Sequence, residues 1–136
     1  PRVHDMIGLL ARHHGDQPQI SLETLHRQVF ELGLARLWVA AEEEGLIGYA
    51  LMLVRPNLVT GGAGHDVNHL FVHEWRRRAG IGRALISAVR DYSLAEGAEY
   101  LVIGTHRENL GAQTAYRGMG LEEWPASGPR FRIALR

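Results

Sequence analysis

The sequence predicts an α/β (α+β) fold, a sheet of short strands covered by helices. Three observations carry that expectation. Segments with apolar residues at three- and four-residue spacing read as amphipathic helices, as in the stripe Ile81, Ala84, Leu85, Ala88, Val89 and Tyr92. Short runs rich in aliphatic and aromatic residues, bounded by glycine, proline or polar clusters, read as strands. The two kinds follow one another in the order helix, helix, three strands, helix, strand, helix, strand, and a sheet with helices packed on it accommodates that order.

Each element has a local reason. His4 to His14 carries Met6, Ile7, Leu9 and Leu10 and reads as a short helix ended by Gly15. Pro18 breaks the chain, Ser21 offers an N-cap, and Leu22, Leu25, Val29 and Leu32 form the face of a second helix. Leu37 to Glu42 and Leu46 to Arg55 read as strands joined in a hairpin at Glu43-Glu44-Gly45. Gly61-Gly62-Ala63-Gly64 reads as a flexible turn or loop tip. A strand from His65 to Val72 is followed by a glycine-rich turn, a helix from Ile81 to Glu96, a strand from Tyr100 to Gly104 and a helix from Asn109 to Met119. A last strand, Phe131 to Leu135, is expected after the loop from Pro125 to Pro129.

Composition narrows the possibilities. A chain of 136 residues is expected to form one domain over residues 1–136, with no linker, repeat or low-complexity stretch to divide it. Fifteen basic residues balance fifteen acidic ones, so no global field favours nucleic acid or an anionic membrane. Cysteine is absent, which removes disulfides, thiolate catalysis and cysteine metal sites together. No apolar run approaches the ~20 residues that span a bilayer, and the N-terminus lacks a signal-peptide pattern, so a cytoplasmic location is the default expectation.

The run Arg77-Arg78-Ala79-Gly80-Ile81-Gly82-Arg83 joins a strand-like segment to a helix-like one. The first amides of a helix lack intrahelical acceptors, and the aligned peptide dipoles place roughly half a positive charge there. An anion can sit on that end. Gly80 and Gly82 remove Cβ atoms that would hold a ligand away from the main chain, and the arginines supply donors suited to phosphate. The turn is not a Walker A loop, which needs Gly-Lys-Ser or Gly-Lys-Thr. It is not a dinucleotide fingerprint either, because Leu85 stands where the third glycine would fall.

The remaining pattern, Arg-x-x-Gly-x-Gly after a short apolar strand, resembles the coenzyme A pyrophosphate loop of the GCN5-related N-acetyltransferase (GNAT) superfamily. Asn109-Leu110-Gly111-Ala112-Gln113-Thr114-Ala115-Tyr116-Arg117-Gly118-Met119-Gly120-Leu121 is similar to that superfamily's Asn-x-x-Ala-x-x-x-Tyr-x-x-x-Gly-Phe segment, and both occur in the right order. The resemblance covers about Leu37 to Leu121 and, within the superfamily, looks most like small bacterial members related to diamine acetyltransferases. It implies a mixed, mostly antiparallel central sheet flanked by helices, with the superfamily's first strand missing or very short. It also implies acetyl-CoA as co-substrate. The backbone of Leu70, Phe71 and Val72 would pair with the pantetheine arm, Arg77, Arg78, Ala79, Gly80, Ile81, Gly82 and Arg83 would hold the pyrophosphate, and Asn109, Ala112 and Tyr116 would complete the coenzyme contacts. Asn109 has a second reading as a simple N-cap, compatible with the first. Tyr116 matches the superfamily's general-acid tyrosine, which gives the leaving thiolate its proton.

The base is open. Strand alternation puts His65, Val67, His69, Phe71 and His73 on one face and Asp66, Asn68, Leu70 and Val72 on the other. Asp66 and His69 rank level, His106 comes third, and a water chain would also serve. The spacing of His65, His69 and His73 would suit a shared metal on a helix, but on a strand His65 and His69 stand ~13 Å apart, so no metal is expected. The function implied is transfer of an acetyl group from acetyl-CoA to a primary amine of a small molecule or a peptide terminus, with a homodimer as a possible assembly. The alternatives are a non-catalytic acyl-CoA-binding sensor or partner module and, third, a generic nucleotide-phosphate binder.

Overall fold

Ser21 starts the first helix as anticipated: its hydroxyl accepts the Thr24 amide at 3.0 Å, closing an N-cap on α1 (Leu22–His26). This is seen in a computed structural model that describes residues 21–43, 45–76, 80–105, 108–124 and 128–135. The helix expected from His4 to His14, the turn residues Arg77 to Ala79, and His106 lie outside the described residues. The chain falls into two units, one ending at Gly104 and the other beginning at Thr105.

In the first unit α1 runs on into a π-helical turn, Arg27–Glu31. Three strands follow, β1 (Ala35–Glu42), β2 (Gly45–Pro56) and β3 (Ala63–Val72), then α2 (Ile81–Ala95) and β4 (Leu101–Ile103). The sheet order is β1-β2-β3-β4; the first two pairings are antiparallel, and β4 lies parallel to β3. Consecutive strands need only short connections, whereas the parallel pair needs the α2 crossover. The expected mostly antiparallel sheet flanked by helices is what forms.

The apolar stripe of α2 seats it on one face of the sheet. Leu85 and Val89 pack with Ala50, Met52 and Val67, bordered by Trp38, Leu70, Val72, Leu101 and Ile103. Fully burying one such side chain contributes about 1.5–3 kcal/mol. The opposite face gathers Leu25, Ala35, Tyr49, Leu51 and Phe71, with Val29 of the π-helical turn beside them. We refer to the α2 face and the α1 face of the sheet.

The glycine-rich segment before β3 divides differently from the sequence expectation. The turn spans Asn57 to Gly62, closed by the Asn57 amide on the Gly62 carbonyl at 2.8 Å, while Ala63 and Gly64 already belong to β3. Gly64 is a packing glycine: a Cβ there would clash with the hydroxyl-bearing end of the Tyr100 ring.

In the second unit, α3 (Leu110–Gly118) begins at Asn109, whose Oδ1 accepts the Ala112 amide at 3.1 Å. Beyond it, the expected strand from Phe131 to Leu135 is not formed, and Phe131, Ile133 and Leu135 are 93%, 80% and 89% exposed. Alternation favours a strand only where a neighbouring strand completes the ladder, and none does so among the described residues.

Candidate active site

Gly80 caps α2 in the left-handed region, at φ 80° and ψ 7°, with no side chain bonded to the helix start. Its carbonyl accepts the Ala84 amide at 3.0 Å, so the amides of Ile81, Gly82 and Arg83 have no acceptor within the helix. A Cβ added at Gly80 would meet nothing within 4 Å, and one at Gly82 only the Val72 methyl at 4.0 Å. Neither glycine is required by neighbouring protein atoms. Three N–H groups without helical acceptors thus stand at the positive end of a 15-residue helix, and among the described residues none crowds the two glycines.

The strand that should carry the acceptor chemistry contains a bulge. Met52 pairs with Val67 but Leu51 pairs with His69, so Asn68 is an extra residue with no opposite number on β2. The bulge resets the alternation. Before it, Val67 packs on the α2 face; after it, Leu70 and Val72 do so, while Phe71 joins the α1-face core. The assignment from uninterrupted alternation is therefore corrected: His65 and His69, expected on one face, are on opposite faces, and Asp66 and His69, expected apart, share the α1 face. β4 pairs only with His65 to Val67, and β3 runs on past it to Val72.

Each of the three residues has a distinct environment. His65 is buried; its Nδ1 lies 2.7 Å from Ser93 Oγ on α2, and its ring stacks on Tyr92. Desolvation pushes its pKa below the ordinary imidazole value, so it stays neutral as a part of the core. Asp66 Oδ2 is 2.7 Å from Nη2 of Arg55, the carboxylate mostly covered and the guanidinium half-exposed. His69 is half-buried, and its Nδ1 lies 3.2 Å from the hydroxyl of Tyr49, with the rings edge to face. Sequence reasoning missed Arg55, Tyr49 and Ser93 as partners. Only the strand register and the seat of α2 bring them into place, and neither is encoded in spacing along the chain.

In the second unit, the side-chain oxygen of Asn109 is committed to the helix cap, and Ala112 is half-buried one turn later. Tyr116 is half-buried too, and burial raises its pKa above the ordinary phenol value. Its hydroxyl is therefore protonated at neutral pH.

Residues 5–121 match the acetyltransferase (GNAT) family. The chain belongs to that family. Among GNAT relatives, it is 34% identical over 84 residues to an uncharacterized N-acetyltransferase of Bacillus subtilis (strain 168), covering 61% of this chain and 56% of the relative. It is 29% identical over 86 residues to human N-acetyltransferase 8, covering 63% of this chain and 38% of the relative. The chain thus spans about half the length of the curated relatives it matches. Among solved structures, it is similar to a ribosomal-protein-alanine N-acetyltransferase from Brucella melitensis at 25% identity and a TM-score of 0.61, with 74% of this chain and 73% of that one covered. A soil-metagenome aminoglycoside acetyltransferase superposes with a TM-score of 0.83 at 20% identity, over 100% of this chain and 90% of that one, a likeness of fold alone.

GNAT membership implies acetyl-CoA as co-substrate. The start of α2 suits its diphosphate: three amides without helical acceptors, Gly80 and Gly82 without side-chain bulk, and exposed Arg83 beside them. Among the described residues no group of three or more histidine, aspartate or glutamate side chains is arranged to hold a metal ion, and no helix is long and apolar enough to cross a membrane.

Proposed function

We propose that this chain transfers the acetyl group of acetyl-CoA to a primary amine by direct attack in a ternary complex. The observation that carries the reading is the glycine-lined start of α2, where the main chain offers amides without helical acceptors and, among the described residues, none crowds the two glycines. The thioester supplies an activated acyl group. The C–N bond forms as the C–S bond breaks, the amine gives up a proton, and the departing thiolate takes one.

The chain's own residues divide these tasks. Gly80, Ile81, Gly82 and Arg83 hold the diphosphate, and the family pattern adds Arg77, Arg78 and Ala79. The pantetheine arm runs along the backbone of Leu70 to Val72, with Asn109 and Ala112 contributing from their helix. Tyr116 gives the thiolate its proton, in the O–H form that its burial preserves. The proton leaving the amine departs toward the β3 face that carries Asp66 and His69.

The acceptor is a primary amine of a small molecule or of a peptide terminus. The likeness to a ribosomal-protein-alanine N-acetyltransferase supports including the terminal amine of a peptide beginning with alanine. The test follows free thiol release from acetyl-CoA with a panel containing that peptide, a diamine and an aminoglycoside. Thiol release together with acetylated amine supports the proposal. Tight binding of acetyl-CoA without release on any amine would favour the sensor, and equal competition by nucleoside triphosphates would favour a general phosphate site.

A further inference from the structure

Arg55 and Asp66 form an ion pair across β2 and β3, Nη2 to Oδ2 at 2.7 Å, and its two ends differ in exposure, with 54% of the arginine side chain open to solvent against 14% of the aspartate. The strand register explains the pairing. Opposite Arg55 stands Gly64, which has no side chain, so the guanidinium reaches diagonally to Asp66, the residue opposite Leu53. Leu53 packs against the α1-face core, and Arg55, two residues on, keeps to that face. β1 begins opposite Leu53, so β2 runs past it before reaching Arg55. A guanidinium carries five N–H donors in a planar fork, and among the described residues only the Asp66 carboxylate meets them. A pair this exposed stabilises a fold little.

Its place gives it a further use, which rests on the acetyl-transfer reading above. The pantetheine arm comes from the start of α2 and runs from Val72 toward Leu70, so its acyl end points along β3 to the bulge at Asn68, and Asp66 lies two residues beyond. We infer that the Arg55–Asp66 pair selects an acceptor with a carboxylate beside its amine, an α-amino acid, with Asp66 receiving the amine and Arg55 holding the carboxylate on the donors that Asp66 leaves over. The two groups stand side by side with opposite charges, and such an acid meets each with the opposite sign. A diamine would set its second ammonium against Arg55, and a peptide would offer an uncharged amide there. In the transfer itself the neutral amine attacks the thioester carbon, the C–N bond forms and the C–S bond breaks. Tyr116 protonates the thiolate and one amine proton leaves toward β3, so the products are the N-acetyl amino acid and free coenzyme A.

The test gives the full chain acetyl-CoA and L-amino acids with aliphatic, aromatic and polar side chains, each beside its carboxamide, together with a diamine and a peptide beginning with alanine. Free thiol and acetylated product are followed. The expected result is kcat/KM for at least one acid about tenfold or more above that for its carboxamide, carried mainly by KM, since the carboxamide lacks the charge-assisted contact. In Arg55→Gln that ratio falls toward one, and in Arg55→Lys, which keeps the charge without the fork, it lies between. The ratio is taken within one variant, so any general loss from a disturbed fold cancels. Equal values for acids and carboxamides in the wild type, a preference for the diamine or the peptide, or a wild-type ratio persisting in Arg55→Gln would overturn the inference; if Arg55→Gln does not fold, the wild-type ratios decide alone. Calorimetry of each acid and its carboxamide on the chain saturated with coenzyme A makes the same comparison without chemistry. Tighter binding of the acid with no acetyl transfer to any amine would refute the proposed function and support the selection, whereas equal binding would overturn the selection.

Discussion

Tyr116 and Asp66 show how far a side chain's role depends on what surrounds it. A phenol of pKa ~10 giving a proton to a thiolate of pKa ~8.5 moves it uphill by about 2 kcal/mol, so the donor works only when held within hydrogen-bond reach. Burial raises the Tyr116 pKa further and makes it a reluctant but reliably protonated acid. Tyr116→Phe is expected to lower turnover by roughly tenfold or more with acetyl-CoA affinity unchanged, a split read by comparing single-turnover rates with equilibrium binding. Asp66 is a contrasting case, because its carboxylate already faces Arg55 at 2.7 Å. If the amine proton reaches Asp66, Asp66→Asn is expected to lower the single-turnover rate roughly tenfold or more; an unchanged rate assigns that proton to another acceptor. The motif singles out Tyr116 as a candidate. The Asp66 and His69 partners were not legible in the sequence, since no pattern along the chain states which residues a strand register brings opposite one another.

At the scale of an element, the start of α2 and the bulge of β3 do the positioning. The left-handed φ of Gly80 costs a residue with a Cβ roughly 1–2 kcal/mol, whereas asparagine tolerates it better. Gly80→Ala is therefore expected to lower stability by about that amount, and Gly80→Asn by less. Both variants should weaken acetyl-CoA binding at least about tenfold, because each puts side-chain atoms into the space before the helix amides. Calorimetry against thermal unfolding separates the two effects, and Gly80→Asn binding acetyl-CoA like the wild type would show that the diphosphate does not sit at the start of α2. The glycine pair and the helix behind it were readable in advance, since propensity alone does not put glycine where a helix begins. The bulge was invisible. Asn68 is unremarkable in a β3 sequence that alternates cleanly on either side, and only pairing with β2 shows that one residue is surplus. One extra residue inverts every face assignment after it.

For the molecule as a whole, the sheet's two faces separate structural histidine from candidate chemistry. His65 is held neutral in the α2-face core by burial and by its contact with Ser93. Its folded-state pKa is depressed below 6.5, so as pH falls through about 6.5 the unfolded chain takes up a proton that the folded chain refuses. Stability is thus complete above that pH and declines below it until the folded-state pKa is passed. Thermal unfolding measured from about pH 7.5 down to 5 should show this decline, and His65→Gln should flatten it; an unchanged slope would mean that other groups govern the acid sensitivity. The sequence by itself determined the kinds of most elements, their order and the glycine-capped start of α2, because helix periodicity, capping and glycine conformation are local properties of neighbouring residues. The tertiary structure decided which face each side chain of β3 occupies, that Arg55 answers Asp66, that Tyr49 answers His69, and that the expected strand from Phe131 to Leu135 does not form. Those outcomes depend on register and on the presence of a pairing strand, which are relations between distant segments that only folding settles.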